Sequence, residues 1–338
     1  MSGTSPLSTA QRASIDEARN AMLERMRQYG VGKRALYLFQ AAFVFPIFLL
    51  VSVLPLDWAS SAAAWFGRNV MARLLYFNRA KMRRTMRVPF PKLTDAECDG
   101  LVAAMSDNVM RTIAELAHLE RFAGRNNPRL VLKGEENLSA AKKTGRPVLF
   151  LACHFANWEV AEVSIRSAGM DGVAAVQHPN NPYLLGWLAR QRYKAGLSEQ
   201  IGTGRGVYRA MRRALAQGRA AALLCDQRVG NGIKAPFFGL ETTTNVIPAR
   251  LARTTPAITI PVTIRRLGGA RFEVNFLPQL EFEHSGNSEG DERAFLARVH
   301  RIFEAQILEQ PAHWLWLNPR WDDVLLPSRR KPRRAAAN

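Results

Sequence analysis

Cysteine is scarce in this chain. Three residues in 338, Cys98, Cys153 and Cys225, stand far apart and form no CxxC pair and no Cys/His cluster. A structural zinc site and a disulfide framework are thereby excluded, and an odd count without partners suits a reducing compartment. No GxSxG elbow is present, so a serine-hydrolase nucleophile has no local signature. The glycine run at residues 202–206, Gly-Thr-Gly-Arg-Gly, is not GxGxxG and gives a dinucleotide fold little support. No internal repeat is visible. Negative charge is also in short supply: 28 Asp and Glu against 47 Lys and Arg leave a net charge of +19. That imbalance predicts an anionic partner, whether nucleic acid, an anionic membrane surface or an acidic protein. No nucleic-acid-binding module is recognisable, so the expectation is no nucleic acid.

What the chain does have is apolar residues, 47% of the total, enough for a substantial core. The longest uncharged run covers residues 35–56 between Lys33-Arg34 and Asp57. A helix of that length matches a hydrocarbon core of roughly 30 Å. It starts too late, after too polar a leader, for an ordinary cleaved signal peptide. A buried or interfacial helix is the competing reading, favoured by Gln40, Pro46 and Pro55. Basic residues flank both ends, so charge bias leaves the orientation open. Beyond it, residues 59–88 read as a basic helix or helix pair. Its most basic part, residues 79–87, fits either a solvated face or a phospholipid-facing one.

From about residue 129 the texture changes. Short apolar runs at 129–134, 147–153, 171–176, 219–225 and 257–264 alternate with helical patterns at 157–168, 182–195, 206–217 and 246–253. This predicts an α/β fold with a mostly parallel central sheet flanked by helices, preceded by an N-terminal membrane helix and additional helices. Residues 271–277 alternate and suggest an antiparallel edge strand; a helix fits 94–122 and a last one 290–309. The expected organisation is a basic N-terminal segment (1–34), a membrane-anchoring helix (35–57), a helical region near the membrane (58–127), the α/β domain (128–325) and a basic disordered tail (326–338).

Candidate chemistry sits where the run 148–153 ends, at His154, with Glu159 five residues on. His154 then lies at the C-terminal end of a buried strand, the edge at which open α/β sheets bind ligands. Asn157 is an N-cap candidate for the next helix. Within one helix, residues five apart point ~140° from each other. Across a strand–turn–helix seam they converge, and a carboxylate then holds one imidazole nitrogen while the other takes a proton. A simply hydrogen-bonded histidine is the bland alternative. Cys153 is adjacent, but successive strand side chains face opposite ways, which argues against a Cys–His pair. A base without a protein nucleophile fits direct attack by a substrate hydroxyl. Asp226 ends another apolar run and is expected at the same sheet edge, lining the site or capping a turn.

His154-Phe-Ala-Asn-Trp-Glu159 resembles the H-x4-D/E motif of the bacterial lipid A late acyltransferases. Further stretches are similar in order: Asn-Asn-Pro at 180–182, the glycine turn at 202–211, Asp226-Gln227-Arg228 followed by Ala-Pro-Phe-Phe-Gly at 235–239, and the Trp-rich segment 309–321. The resemblance covers roughly residues 35–322. It implies transfer of a fatty acyl chain from an acyl carrier protein thioester to a hydroxyl of a lipid A precursor, an anionic phosphorylated glycolipid. His154 would be the general base and Glu159 its orienting partner, with no metal and no cofactor. Arg205, Asp226, Asn157, Asn181, His178 and Gln227 become candidate substrate-binding residues; His178 replaces an arginine common at that place in the family. The implied location is the cell inner membrane, with the catalytic domain on the cytoplasmic side. Another lipid acceptor, or an acyl-CoA donor, keeps the same fold and chemistry.

Overall fold

The computed structural model describes residues 20, 23–24, 26–75, 79–177, 179–197, 199–204, 206–318, 320–321 and 325. Seven strands form one sheet in the order β1-β9-β8-β2-β5-β3-β4. They are β1 (Leu130–Lys133), β2 (Val148–Ala152), β3 (Gly172–Val176), β4 (Glu199–Gly202), β5 (Ala220–Leu224), β8 (Ile258–Gly268) and β9 (Arg271–Phe276). A separate antiparallel hairpin joins β6 (Arg228–Phe237) to β7 (Leu240–Thr244). The apolar runs become the interior because a parallel strand must be covered on both faces. β2 is buried at every position. Helices Glu159–Ser167, Pro182–Lys194, Val207–Ala216 and Ile247–Thr254 fall where the alternation predicts them, and Ser288–Glu309 closes the domain.

Two features differ from the sequence reading. β9 is antiparallel to β8, as expected, but it is not an edge: β1 lies outside it, in parallel register. Its residues Phe272 and Phe276 meet Phe122 and Phe150 edge-on, and pairing with β1 covers its outer backbone edge. The second difference is the unexpected β4 and the β6–β7 hairpin. Their polar, glycine-bearing sequences carry no apolar run, and tertiary pairing alone makes them strands.

The uncharged run forms a helix, Val31–Val53, long and apolar enough to cross a membrane. It is no core helix: only Ala41 is buried, while Phe39, Phe43, Leu49 and Val53 stand exposed. Among the described residues, Asn181, Trp187 and His118 hold it. Asn181 donates to the carbonyl of Tyr37 at 2.9 Å and to Gln40 at 3.3 Å. Phe48 packs on Trp187, with centroids 4.1 Å apart. At its C-terminal end the Val51 carbonyl, one of the four a helix leaves unpaired, meets His118 Nε2 at 2.9 Å. Asn181 also caps helix Pro182–Lys194 by accepting from the Tyr183 N–H. Asn181→Ala is therefore expected to lower stability by ~1 kcal/mol or more through the lost cap alone, read as a lower unfolding midpoint in detergent.

The basic run turns inward. Arg79 and Arg83 reach Asp99 at 3.1 and 2.7 Å, and Arg83 and Arg87 both pair with Asp95. The Arg83 hydrogen bond holds the Asp99 carboxyl below its ordinary range despite the opposing effect of burial. These guanidiniums lock helix Arg79–Met86 onto helix Asp95–Glu115, whose start carries a capping box between Thr94 and Glu97.

Candidate active site

β2 and β5 run parallel with Ala152 opposite Leu224. The Cys225 N–H still donates to the Ala152 carbonyl at 3.0 Å, so the pairing continues one step past both strands. Two residues beyond Ala152 stands His154, and two beyond Leu224 stands Asp226. The shared register delivers them together: His154 Nδ1 lies 2.7 Å from Asp226 Oδ1. The other carboxylate oxygen, Oδ2, accepts from the Trp314 indole N–H at 2.8 Å. The Asp226 side chain is 2% exposed and that of His154 is 18% exposed, so the orienting group is shut away while the imidazole is reachable. Gln227 Nε2 lies 3.1 Å from His154 Nε2. With the amide donating there, the ring proton belongs on Nδ1, toward Asp226, and Nε2 is the acceptor. Burial pushes the Asp226 carboxyl up, but the His154 charge and hydrogen bond, aided by the Trp314 N–H, hold it below its ordinary value.

The loop carrying His154 is gripped from two sides. Ala156 adopts φ 48°, a left-handed conformation that a residue with a Cβ keeps only when its surroundings impose it. Its N–H donates to the His313 carbonyl at 2.9 Å. Its own carbonyl accepts from Asn108 at 3.2 Å and Thr112 at 2.9 Å. The Leu315 N–H donates to the His154 carbonyl at 3.1 Å, and Phe155 bridges Trp314. The Trp-rich segment is thus the back wall of the loop.

Glu159 is arranged differently from the expectation. Both of its oxygens are taken by Arg192, in a pair with side chains 5% and 8% exposed, and Asp226 occupies the place beside the imidazole. The strand register explains this, because it brings Asp226 alongside His154 without any turn. The first turn of helix Glu159–Ser167 carries Glu159 to the neighbouring helix Pro182–Lys194 instead. Burial works against the Arg192 charge, yet Glu159 outweighs it and keeps the guanidinium firmly protonated. Asn157 does help begin the helix, accepting from the Glu159 N–H at 3.1 Å, although Trp158 is the capping residue. Its amide donates to Glu115 at 2.9 Å.

Burial pushes both the Cys153 and Cys225 thiols up, so neither supplies a thiolate. Cys153 points away from the imidazole, to Gln306 at 3.4 Å, as strand alternation requires. His178 and Arg205 lie outside the described residues. Trp314, Trp316 and Trp321 are core residues, as is Arg320, which binds the Thr243 carbonyl, Thr244 and His300. His300 donates from Nδ1 to the Pro236 carbonyl, and burial together with Arg320 lowers its pKa from 6.5 to about 3. The folded chain therefore resists protonation that the unfolded chain accepts. This contribution to stability is complete above pH ~6.5 and is lost progressively as the pH falls toward 3. Unfolding midpoints measured across that window are expected to fall with pH, less steeply for His300→Gln.

Arg192 and the Trp314 N–H were not legible as site residues. Arg192 is one of several basic residues in its helix, and its partner lies 33 positions away. The only signal for Trp314 is its recurrence in a Trp-x-Trp pattern.

A mostly parallel sheet with a reachable imidazole–carboxylate pair at its C-terminal edge defines an α/β protein with titratable groups set where open sheets bind ligands. Residues 32–323 match the family described as bacterial lipid A biosynthesis acyltransferase, and the chain belongs to that family. It is 28% identical over 197 residues to the lipid A biosynthesis palmitoleoyltransferase of Escherichia coli (strain K12), covering 56% of this chain and 60% of that protein. It is 27% identical over 266 residues to the phosphatidylinositol mannoside acyltransferase of Mycobacterium tuberculosis (strain ATCC 25618 / H37Rv), covering 75% of this chain and 78% of that one.

Proposed function

We propose that this protein is a membrane-associated O-acyltransferase that moves a fatty acyl chain from a thioester to a hydroxyl of an anionic glycolipid. The preferred donor is acyl carrier protein and the preferred acceptor a lipid A precursor. The observation that carries the reading is the His154–Asp226 pair, whose imidazole is partly exposed, with Nε2 beside the Gln227 amide and no serine elbow in the sequence. In the proposed reaction His154 Nε2 takes the proton of the acceptor hydroxyl, and Asp226 steadies the imidazolium that results. The alkoxide-like oxygen attacks the thioester carbonyl, the C–O bond forms, and the tetrahedral oxyanion collapses with loss of the donor thiolate. That thiolate recovers the proton from His154. The Gln227 amide stands next to Nε2, where the hydroxyl must arrive, and is a side-chain donor available to the developing oxyanion. Glu159 acts as a positioning residue, fixing the first turn of its helix through Arg192. The net charge of +19 favours both an acidic carrier protein and a phosphorylated acceptor. The location proposed is the inner membrane, with the catalytic domain on the cytoplasmic side.

A second acceptor is favoured by one observation: the phosphatidylinositol mannoside acyltransferase relative matches more of the chain than the lipid A enzyme does. The test offers labelled acyl carrier protein, and separately acyl-CoA, to membranes with either acceptor. Transfer to the lipid A precursor supports the preferred reading, transfer to phosphatidylinositol mannoside alone replaces the acceptor, and transfer to neither overturns it. Asp226→Asn keeps the shape but loses the charge, and is expected to lower kcat by roughly 10²-fold or more with KM little changed.

A further inference from the structure

The basic run at 79–87, the obvious lipid-facing candidate in the sequence, spends Arg79, Arg83 and Arg87 on Asp95 and Asp99. The helix before it does the opposite. In Leu56–Phe66 the residues Leu56, Ala59, Ser60 and Ala64 are buried, whereas Trp58 is 72% and Trp65 65% exposed. Seven residues apart, the two indoles share one helix face. Phe66 and Leu74 are exposed beyond them. Large apolar side chains left this exposed on neighbouring turns mark an interaction or membrane site.

We infer that the segment from Trp58 to Leu74 is a second membrane element, lying in the interface of an anionic bilayer beside the apolar helix. Three observations select this occupant. The segment continues directly from the apolar helix: Leu54 and Pro55 separate the end of one, Val53, from the start of the other, Leu56. Tryptophan is the residue that concentrates at the membrane–water boundary, and exposed Arg73 and Arg84 add positive charge near it, while Arg68 pairs with Asp107. The element also cannot roll to hide its indoles. A Cβ on Gly67 would lie 2.3 Å from the Ser106 carbonyl oxygen, so the backbone is pressed directly onto helix Asp95–Glu115.

The same clamp ties this surface to the candidate active site. Ser60, on the buried face, donates to Glu115 at 2.8 Å. The other Glu115 oxygen accepts from Asn157, two residues before Glu159. The loop of His154 and the interfacial helix are thus joined through one side chain, Glu115 of helix Asp95–Glu115, which relates the height of the loop to the bilayer. This inference concerns where the chain sits and stands whether or not the acyl-transfer reading does.

The native cysteines are all buried, so a single exposed cysteine can be labelled selectively. A nitroxide at Ala62→Cys, or at Ser61→Cys as a second variant, reports on the Trp58–Trp65 face. Lys143→Cys, exposed in a distant helix, serves as the aqueous control. In full-length protein reconstituted into nanodiscs containing phosphatidylglycerol, collision with lipid-soluble oxygen is expected to exceed collision with a water-soluble nickel complex at positions 61 and 62, and the order to reverse at 143. Nickel access at 61 and 62 equal to that at 143 overturns the inference, because the face then meets water. Dipolar broadening between labels, showing a second copy over the face, overturns it as well.

Discussion

Acyl transfer by His154→Ala is expected to fall by roughly 10²–10⁴-fold, the usual contribution of a positioned general base. The loss should appear in kcat with little change in KM, since the imidazole acts on the hydroxyl proton as the transition state forms. The fold should survive, because the His154 side chain is partly exposed and the loop is held through backbone groups of His154 and Ala156. A modest stability cost remains: Asp226 keeps the Trp314 N–H but loses its imidazole partner in a buried setting. Labelled-chain transfer gives the rate, and the unfolding midpoint in detergent gives the control. Equal transfer by wild type and variant would reduce His154 to a structural histidine.

Arg266→Met is expected to cost about 3–5 kcal/mol of stability, the range for removing one member of a buried ion pair. Arg266 binds both oxygens of Glu115, at 2.6 and 3.1 Å, with side chains 5% and 0% exposed. It also donates to Asn108 at 3.0 Å and to the Gly269 carbonyl at 2.8 Å. Asn108 and Glu115 in turn hold the Ala156 carbonyl and Asn157. Loss of the guanidinium leaves a carboxylate buried without its counter-charge directly beneath the site loop. Adding Glu115→Gln should recover part of the stability by removing that charge, and a double-mutant cycle on unfolding free energy measures the coupling. Equal losses for Arg266→Met with and without Glu115→Gln would remove the ion pair as the cause.

Much of the scaffold is local enough to read in one dimension. Apolar runs of strand length alternating with helical patterns dictate a doubly covered parallel sheet, because each run has two faces to bury. That logic places His154 and Asp226 at the ends of β2 and β5 before any coordinates. The uncharged run from 35 to 56 likewise announces a helix, although only the structure shows that it lies outside the core. Long-range choices are another matter. Strand order puts β5 beside β2, and only the register with Ala152 opposite Leu224 makes Asp226 the partner of His154. Spacing along the chain suggested Glu159 instead, but its carboxylate goes to Arg192 on the next helix. The exposed face of the basic run was equally invisible, since nothing in residues 79–87 says that Asp95 and Asp99 lie within reach. Sequence by itself determined the apolar strands, most of the helices, the long apolar helix and the residue types at the sheet edge, because those follow from periodicity and composition. Tertiary structure decided which carboxylate meets the imidazole and which aromatic face stays uncovered, because those depend on pairing between segments that the chain order leaves free.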